Sequence, residues 1–526
     1  MAVIDVTNLR YAVPGGRLLF EDASFRVGNG DHVALVGANG TGKTTLLRLI
    51  AGEETVQGGR IRVGGRTAFM RQFIGTLGEE TTIREFLVGL SHPALRLAAN
   101  QLQDAEHAIQ VTESPRAHMR YASALAAWSE AGGYDAEVQW DICSVAALGK
   151  PMSAVAERRV LSLSGGEQKR LALEFILRSD AEVLLLDEPD NFLDIPGKRW
   201  LEEALNACDK TMLYVSHDRA LLAHTSKRVV TLEGKGAWTH GGSFATYHEE
   251  RDRRVSRIEQ ERRRYREEHE RLVASMKELK RRASISDALA SRAKASVTKL
   301  ERFEESNAPP ERPADQDIRM SLGGGRTGKI AFRATGLSIR DLVAPFDTEI
   351  LFGERVGIVG SNGTGKSHFL KLLHGEDVEH GGAWMLGARV QPSLFSQTHD
   401  RPDLGDRSVI EIMTSGGLDL GRAMAGLRRY ELREIADHPF SLLSGGQQAR
   451  FQLLLMELAS PTMLLLDEPT DNLDVASAEA LEDGLLRYEG TVIAVTHDRW
   501  FMRLLDRFLV FNDDGSVRET LEHPYV

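Results

Sequence analysis

Two glycine-rich stretches carry the residues best suited to chemistry. GANGTGKTT at 37–45 and GSNGTGKSH at 360–368 both follow the pattern G-x-x-x-x-G-K-[ST], after an apolar run and before a helix-like segment. The glycines let backbone N–H groups wrap around phosphate oxygens, while the lysine reaches the outer phosphates. We therefore predict two nucleotide-binding loops. Their candidate residues are Gly37, Ala38, Asn39, Gly40, Thr41, Gly42, Lys43, Thr44 and Thr45, then Gly360, Ser361, Asn362, Gly363, Thr364, Gly365, Lys366, Ser367 and His368.

A second glycine-rich motif, Ser-Gly-Gly, also occurs twice, in LSLSGGEQKR and LLSGGQQAR. Where such a motif opens a helix, free N–H groups and an unhindered backbone suit a further phosphate contact. The candidates for this contact are Ser164, Gly165, Gly166, Ser444, Gly445 and Gly446.

Paired carboxylates end two fully apolar runs, VLLLDE at 183–188 and MLLLDE at 463–468. Acidic residues at the end of a single strand are commonly no more than solvated surface residues. The repetition of the pair in both halves argues against that interpretation. The first acid of each pair suits Mg2+ and the second suits a general base that activates water. A histidine follows the next buried strand in VSHDR and VTHDR. The catalytic candidates are Glu188, Glu468, His217 and His497.

Oxygen ligands for Mg2+ can be assembled from hydroxyls, carboxylates and two glutamines that end strand-like stretches. A glutamine alone is weak evidence, since most are surface residues. The candidates for the metal are Thr44, Gln72, Asp187, Ser367, Gln397 and Asp467.

The elements that position these residues must also occur twice, because the motifs recur in one order. Asp187 follows Ser164 by 23 residues and precedes His217 by 30, and the second half repeats both spacings. Glutamine and Ser-Gly-Gly serine are 92 residues apart in the first half but 47 in the second. We therefore predict an enlarged helical insert at about 93–131, broken at Ser114-Pro115.

Composition excludes several classes of protein. The chain has 526 residues, 42% of them apolar and 27% charged, which is typical of a globular protein with two to four domains. Its two cysteines cannot build a disulfide framework or a cysteine-based metal site. No apolar run approaches the roughly 18 residues of a membrane span, and no signal peptide is evident, so we expect a cytoplasmic location.

Between the halves lies a charged segment, which we call the connector. Residues 251–303 hold 17 Lys or Arg against 9 Asp or Glu, in a chain with a net charge of −11. A heptad seam includes Ile258, Tyr265 and Leu272, and Leu289, Ala293, Val297 and Leu300 offer a facing row. We predict an antiparallel helical hairpin with a break at 283–287. A solvated spacer is the alternative to contact with a polyanion.

Together these motifs resemble the ATPase domain of ATP-binding cassette (ABC) proteins. Two such domains, a charged helical connector and no membrane span resemble the ABC-F proteins, which bind ribosomes. The resemblance implies an α/β fold with two P-loop ABC-type ATPase domains joined by an antiparallel α-helical hairpin connector. The domains would be 1–246 and 308–526, with the connector at 247–307.

The family arrangement implies composite sites, ATP and Mg2+ as cofactors, and a monomer whose two domains pair head to tail. Lys43 and Glu188 would face Ser444, and Lys366 and Glu468 would face Ser164. Tyr11 is the candidate to stack on adenine in the first half, whereas the second half has no tyrosine upstream of its loop. The loops DEPDNFLD and DEPTDNLD carry Phe192 and Asn472 where the family commonly has histidine.

The resemblance implies an ATP-hydrolysing protein that acts on the ribosome, in translation regulation or in protection from an antibiotic. Its connector would meet rRNA, or also tRNA, at about 280–299. The main alternative is the energising subunit of a transporter with a separate membrane partner. A DNA-maintenance ATPase lacks its usual long coiled coils here, and a metabolic kinase has no use for the Ser-Gly-Gly motif.

Overall fold

The computed structural model describes residues 2–71, 80–112, 114–282, 287–306, 309, 318–325, 327–396, 401 and 404–524. For residues 2, 287–290 and 306 it describes only the backbone. The predictions for Gln72, Gln397 and the helix break at 283–286 therefore lie outside the described residues. The chain divides into two compact units, Met1–Gly241 with Gln316–Val526, and Gly242–Asp315.

The first half alternates strands and helices in the order expected of an α/β domain. Its elements are β1 (Ala2–Ala12), β2 (Leu18–Gly28), β3 (His32–Gly37), α1 (Lys43–Ile50), β4 (Gly58–Val63), β5 (Thr67–Met70), α2 (Ile83–Leu90), α3 (Pro93–Val111), α4 (Pro115–Glu130), α5 (Gly133–Leu148), α6 (Met152–Val155), α7 (Gly165–Arg178), β6 (Val183–Asp187), α8 (Ile195–Ala207), β7 (Thr211–Val215), α9 (Arg219–Thr225), β8 (Arg228–Glu233) and β9 (Gly236–His240).

The described strands of this half form one sheet in the order β4-β1-β2-β9-β8-β3-β7-β6-β5. Strand β3 pairs in parallel with β7 and β8, and β6 pairs in parallel with β5 and β7. Every residue of β6 and β7 is buried, as expected of apolar strands covered on both faces. Their carboxyl ends lie at one edge, and the functional loops leave from it.

The segment for which we predict an insert contains the helices α3 and α4. Ser114 accepts a hydrogen bond from the backbone N–H of Ala117, and Pro115 occupies the first turn of α4. This cap and proline explain why the chain breaks there rather than continuing one long helix.

The second half repeats the plan without that insert. After the connector helices α10 (Tyr247–Arg282) and α11 (Asp287–Ser306), its elements are β10 (Ile330–Ile339), β11 (Val343–Leu351), β12 (Arg355–Gly360), α12 (Lys366–His374), β13 (His380–Leu386), β14 (Pro392–Phe395), α13 (Val409–Ser415), α14 (Leu420–Arg429), α15 (Gly445–Ala459), β15 (Met463–Asp467), α16 (Val475–Arg487), β16 (Thr491–Val495), β17 (Arg507–Phe511) and β18 (Val517–Thr520).

Its described strands form two sheets, β11-β10-β13 and β14-β15-β16-β12-β17-β18. Strand β12 lies between β16 and β17, and both pairings are parallel. The strands that carry the phosphate loop and the paired carboxylates therefore belong to one sheet, as in the first half. Ile195, at the start of α8 in the first half, packs into an apolar cluster made mostly of second-half residues.

The connector unit consists of α10 and α11, which contact each other. The rings of Tyr265 and Phe303 stack with centroids 4.8 Å apart, and His269 lies 2.8 Å from a carboxylate oxygen of Glu304. Ile258, Leu272, Ala293 and Leu300 are buried, as the predicted seam requires. At the standard rise, the 36 residues of α10 extend about 54 Å. Among the described residues, we find no helix with the length and apolar character needed to cross a membrane.

Candidate active site

The two phosphate loops have the same geometry. Each opens a helix after a left-handed glycine, Gly42 at φ 95° and Gly365 at φ 93°. A Cβ on Gly42 would lie 2.9 Å from the ring of Phe20, so only glycine fits there. Nζ of Lys43 donates to the carbonyl of Gly37 at 2.8 Å, and Nζ of Lys366 makes the equivalent bond to Gly360 at 2.8 Å. Both ammonium groups therefore bond to carbonyls of their own loops, at the place where phosphates would bind.

The hydroxyl next to each lysine acts on the aspartate that ends the apolar strand. Burial raises the pKa of Asp187 and of Asp467, and the hydroxyls of Thr44 and Ser367, respectively, oppose the rise. Within the described residues, Oδ2 of Asp187 and Oδ1 of Asp467 are buried without a hydrogen-bond partner. A hydroxyl and a partly unsatisfied carboxylate beside a phosphate loop fit Mg2+ chemically.

The two glutamates adopt a rare backbone conformation. Glu188 has φ 50° and Glu468 has φ 48°, whereas positive φ is uncommon outside glycine. The backbone N–H of each donates at 2.9 Å to the last residue of the neighbouring strand, Val215 or Val495. The strained turn directs each carboxylate away from its strand, and such strain clusters at functional sites.

A histidine faces each glutamate. Nε2 of His217 lies 3.7 Å from Oε1 of Glu188, and Nε2 of His497 lies 3.4 Å from Oε1 of Glu468. Burial, followed by the charge of Asp187, raises the pKa of Glu188 to about 7. Burial also raises the pKa of Glu468 and lowers the pKa of both histidines. A carboxyl whose pKa is raised toward neutral pH, beside a neutral imidazole, is suited to proton transfer.

The carboxylates are held differently in the two halves. Oε2 of Glu188 accepts from Nδ2 of Asn191 at 2.7 Å, while Oε2 of Glu468 accepts from the backbone N–H of His497 at 2.9 Å. Asp471 occupies the place equivalent to Asn191, and a carboxylate cannot donate this bond. The two sites are therefore not equivalent in detail.

Each phosphate loop contacts the opposite half. The backbone N–H of Asn39 donates to Oδ2 of Asp474 at 2.8 Å, and its amide donates to the carbonyl of Asn472 at 2.9 Å. The amide of Asn362 donates to the carbonyl of Phe192 at 3.2 Å. Phe192 and Asn472 have φ values of 69° and 64°, which present their carbonyls across the contact. Since the carbonyl makes the bond, the departure from histidine leaves this link intact.

A cavity of about 340 Å³ joins the second phosphate loop to the Ser-Gly-Gly motif of the first half. Its lining includes Ser164, Gly165, Gly166, Lys366 and Glu468. A cleft of about 320 Å³ lies beside the first loop and contains Lys43 and Glu188. The Ser-Gly-Gly motif of the second half lies close to that loop, because a Cβ on Gly446 would be 2.2 Å from Nδ2 of Asn39. Head-to-tail pairing of the motifs is thus present at both loops.

The Ser-Gly-Gly serines also have a structural task. Ser164 caps α7 and Ser444 caps α15, and each forms a capping box with the residue three positions later. The cap fixes the helix N-terminus that faces the opposite phosphate loop, so the structural and the functional interpretation agree.

The expectation for Tyr11 is corrected by the structure. Its side chain belongs to the apolar core, is 7% exposed, and donates to Oε2 of Glu54 at 2.5 Å. Adenine stacking requires an exposed ring face, which Tyr11 lacks. Val13, Arg17 and Leu19 line the cleft instead.

Sequence reasoning missed a network of ion pairs between the halves. Arg219 pairs with Glu482 and Asp498 of the second half, and Arg499 pairs with Glu202 and Asp218 of the first. The only signal was the repeated Asp-Arg after each histidine, whose partners are hundreds of residues away.

These observations define a twin ATPase of the ATP-binding cassette class. The family model for the ABC transporter domain matches residues 20–191 and 344–471. The chain is 31% identical to ABC transporter F family member 2 of Arabidopsis thaliana, over 97% of this chain and 76% of that protein. It therefore belongs to the ABC-F family.

Other relatives match over nearly the whole chain. An "Antibiotic resistance protein" of Mycobacteroides abscessus is 46% identical, with 100% of both chains covered. The "Energy-dependent translational throttle protein EttA" of Mycobacterium tuberculosis is 28% identical, over 95% of this chain and 90% of that protein. A solved complex of the archaeal ribosomal stalk protein aP1 with the ribosome recycling factor aABCE1 shares the fold. Its TM-score is 0.57 at 18% identity, over 97% of this chain and 89% of that one.

Proposed function

We propose that this protein hydrolyses ATP in two composite sites and uses the resulting opening and closing of its halves to act on the ribosome. The observation that carries the proposal is the pairing of two ATPase halves with a basic helical connector in one chain. The names of the full-length relatives, an antibiotic resistance protein and a translational throttle, support it. Protection of the ribosome from an antibiotic is the form we favour, given the 46% identical relative.

In this proposal the lysines leave their loop carbonyls and bind the outer phosphates of ATP. The opposite Ser-Gly-Gly motif closes over the same phosphates. Glu188 and Glu468 accept a proton from the attacking water, while His217 and His497 orient the reacting groups. Mg2+, held through Thr44 with Asp187 and through Ser367 with Asp467, would supply positive charge against the phosphates.

We propose the domain boundaries 1–246, 247–307 and 308–526, and a monomer in the cytoplasm whose halves pair with each other. The ribosomal contact would lie at about 280–299 of the connector. Gln72 and Gln397 remain candidate metal ligands from their sequence position alone.

The experiment is cosedimentation of a Glu188→Gln, Glu468→Gln variant with ribosomes. This variant should bind ATP and stay closed, so we expect enrichment in the ribosomal pellet with ATP and much less with ADP. A Lys43→Met, Lys366→Met variant is the control, since weaker phosphate binding should abolish the ATP effect. No ATP-dependent enrichment would refute action on the ribosome.

A second experiment addresses the form of that action. A host expressing the protein is profiled for growth against several classes of ribosome-targeting drugs. Protection against one class, lost when the connector is shortened around 280–294, would support ribosomal protection. Equal sensitivity to every class would instead favour translation regulation.

A further inference from the structure

The two halves differ at several buried, charged positions. Between the Ser-Gly-Gly motif and the histidine they align residue by residue at a constant offset, as Ser164 with Ser444 and His217 with His497 show. Within that stretch the first half has buried Lys169, Asp190 and Lys198, where the second half has Ala449, Thr470 and Ala478. A buried charge is costly unless it is paired, so its occurrence in one copy calls for an explanation.

The three side chains form one charged cluster in the first half. Nζ of Lys198 lies 3.0 Å from Oδ2 of Asp218, and the charge of Asp190 also favours the ammonium form of Lys198. Asp190 is likewise the largest favourable charge acting on Lys169. Because Lys169 lies on α7 and Lys198 on α8, the cluster links the helix that Ser164 caps to the helix that follows the Phe192 loop.

Lys198 also reaches into the opposite half. Its Nζ donates to the backbone carbonyl of His497 at 3.3 Å. Its side chain lines the cavity that contains Lys366 and Glu468. This contact holds the loop that carries both the histidine and the N–H bonded to Glu468. At the other composite site the equivalent residue is Ala478, which has no ammonium group to offer.

We propose that Lys198, held by its buried ion pair with Asp218, is a positioning residue that serves only the composite site of Lys366 and Glu468. The two ATP sites are then chemically unequal. The inference rests on the proposed ATPase function and adds a division of labour between its sites.

The experiment measures each site separately. Glu188→Gln silences the first site and leaves the second, while Glu468→Gln does the reverse. Into each background we introduce Lys198→Ala, which copies the residue of the second half. Asp218 keeps Arg499 and the backbone N–H groups of Ala220 and Leu221 as partners. We expect kcat of the second site to fall about tenfold with KM for ATP nearly unchanged, because positioning acts on the transition state. The first site should keep its kcat.

Two further variants distinguish positioning from folding. Lys198→Arg keeps the charge and should restore most of the second-site kcat. Arg199→Ala removes an exposed positive charge from the adjacent position of α8 and should leave both sites unchanged. Thermal melting of every variant verifies folding, and the comparison between backgrounds holds even for a somewhat less stable protein.

Three results would overturn the inference. The first is an equal loss of kcat in both backgrounds, and the second is no loss in the Glu188→Gln background. The third is that the Glu188→Gln protein shows no turnover at its second site even with Lys198 in place. Absence of hydrolysis in the unmodified chain would instead refute the proposed ATPase function, so the two failures are distinguishable.

Discussion

The backbone N–H of Asn39 donates a 2.8 Å hydrogen bond to Oδ2 of Asp474 in the opposite half. The second oxygen of that carboxylate, Oδ1, accepts from the backbone N–H of Ser477 at 2.9 Å and caps α16. One side chain therefore fixes a helix end and binds the opposite phosphate loop. We therefore expect a change in that loop to affect the start of α16.

Asp474→Ser separates these two tasks. Serine is a good N-cap, but its side chain is too short to reach Asn39 as well. We expect ATP-dependent closure to become less favourable by about 1.5–3 kcal/mol, the contribution of a hydrogen bond to a charged group. Fluorescence energy transfer between labels on the two halves measures closure as a function of ATP concentration.

Asp419→Ser is the matched control for this substitution. Asp419 caps α14 through the N–H of Arg422 and is well exposed, so the same replacement changes a cap and one exposed ion pair with Arg422. Closure by Asp474→Ser at the ATP concentration of the parent would contradict the role of the carboxylate.

The sequence predicted which groups lie together at the two phosphate loops, because each belongs to a short motif next to one strand. It failed for Tyr11 because Asn8, at φ 49°, interrupts the alternation of β1. Ile4 and Val6 face the core before this irregularity, and Leu9 and Tyr11 face it afterwards. A local shift of register cannot be read from spacing alone.

The ion pairs between the halves were missed for a different reason. Arg219 and Glu482 are 263 residues apart, and only the packing of the halves brings them together. Lys198 was detectable in principle, since a position-by-position comparison of the halves sets it against Ala478. Its burial beside His497 could not be foreseen from the sequence.

The pair of Arg219 and Glu482 should show a large coupling free energy for unfolding. Arg219 is 1% exposed and its guanidinium lies 5.0 Å from the ring centre of Trp500. Arg219→Met leaves the half-buried carboxylate of Glu482 without this partner, which we expect to destabilise the paired halves by about 3 kcal/mol. Adding Glu482→Leu should recover much of this loss. A double-mutant cycle on thermal or denaturant unfolding measures the coupling.

An exposed pair provides the comparison for that cycle. Arg26 lies 3.2 Å from Asp5, and its side chain is 73% exposed. Removing either partner should change the free energy of unfolding by less than about 1 kcal/mol. Similar effects for both pairs would show that burial between the halves adds nothing.

The raised pKa of Glu188 predicts how the effect of Glu188→Gln on thermal stability depends on pH. Its pKa rises from 4.5 to about 7 on folding, so the neutral carboxyl favours the folded state below pH 4.5. That contribution is lost as the pH rises toward about 7. Gln remains neutral throughout, so Glu188→Gln should gain melting temperature over the parent as the pH increases through this range.

Melting of the nucleotide-free protein at a series of pH values tests this prediction. Burial lowers the pKa of His217, which has the opposite effect on stability, so His217→Gln is introduced into both proteins before they are compared. Glu21→Gln, at a side chain 59% exposed, controls for the substitution itself. A difference between Glu188→Gln and the parent that is constant with pH would argue against a buried, raised carboxyl.

The connector should bind RNA through the basic residues near its predicted tip. Arg281 and Arg282 already pair with Glu278, at 2.9 and 2.6 Å, so part of their charge is compensated within α10. Replacing Arg281, Arg282, Arg292 and Lys294 by glutamine should weaken ribosome binding and flatten its salt dependence, because fewer counterions are released.

Glu278→Gln makes the opposite prediction from the same contacts. It frees both arginines without adding a charge of its own, so ribosome binding should tighten and its salt dependence should steepen. Sedimentation at several salt concentrations measures both variants, with ATPase activity in the absence of ribosomes as the check on folding. Arg253→Gln with Arg263→Gln, which lie earlier in α10, is the matched control for lost positive charge. If this control weakens binding as much per charge as the tip variant, the contact depends on net charge and has no preferred site at the tip.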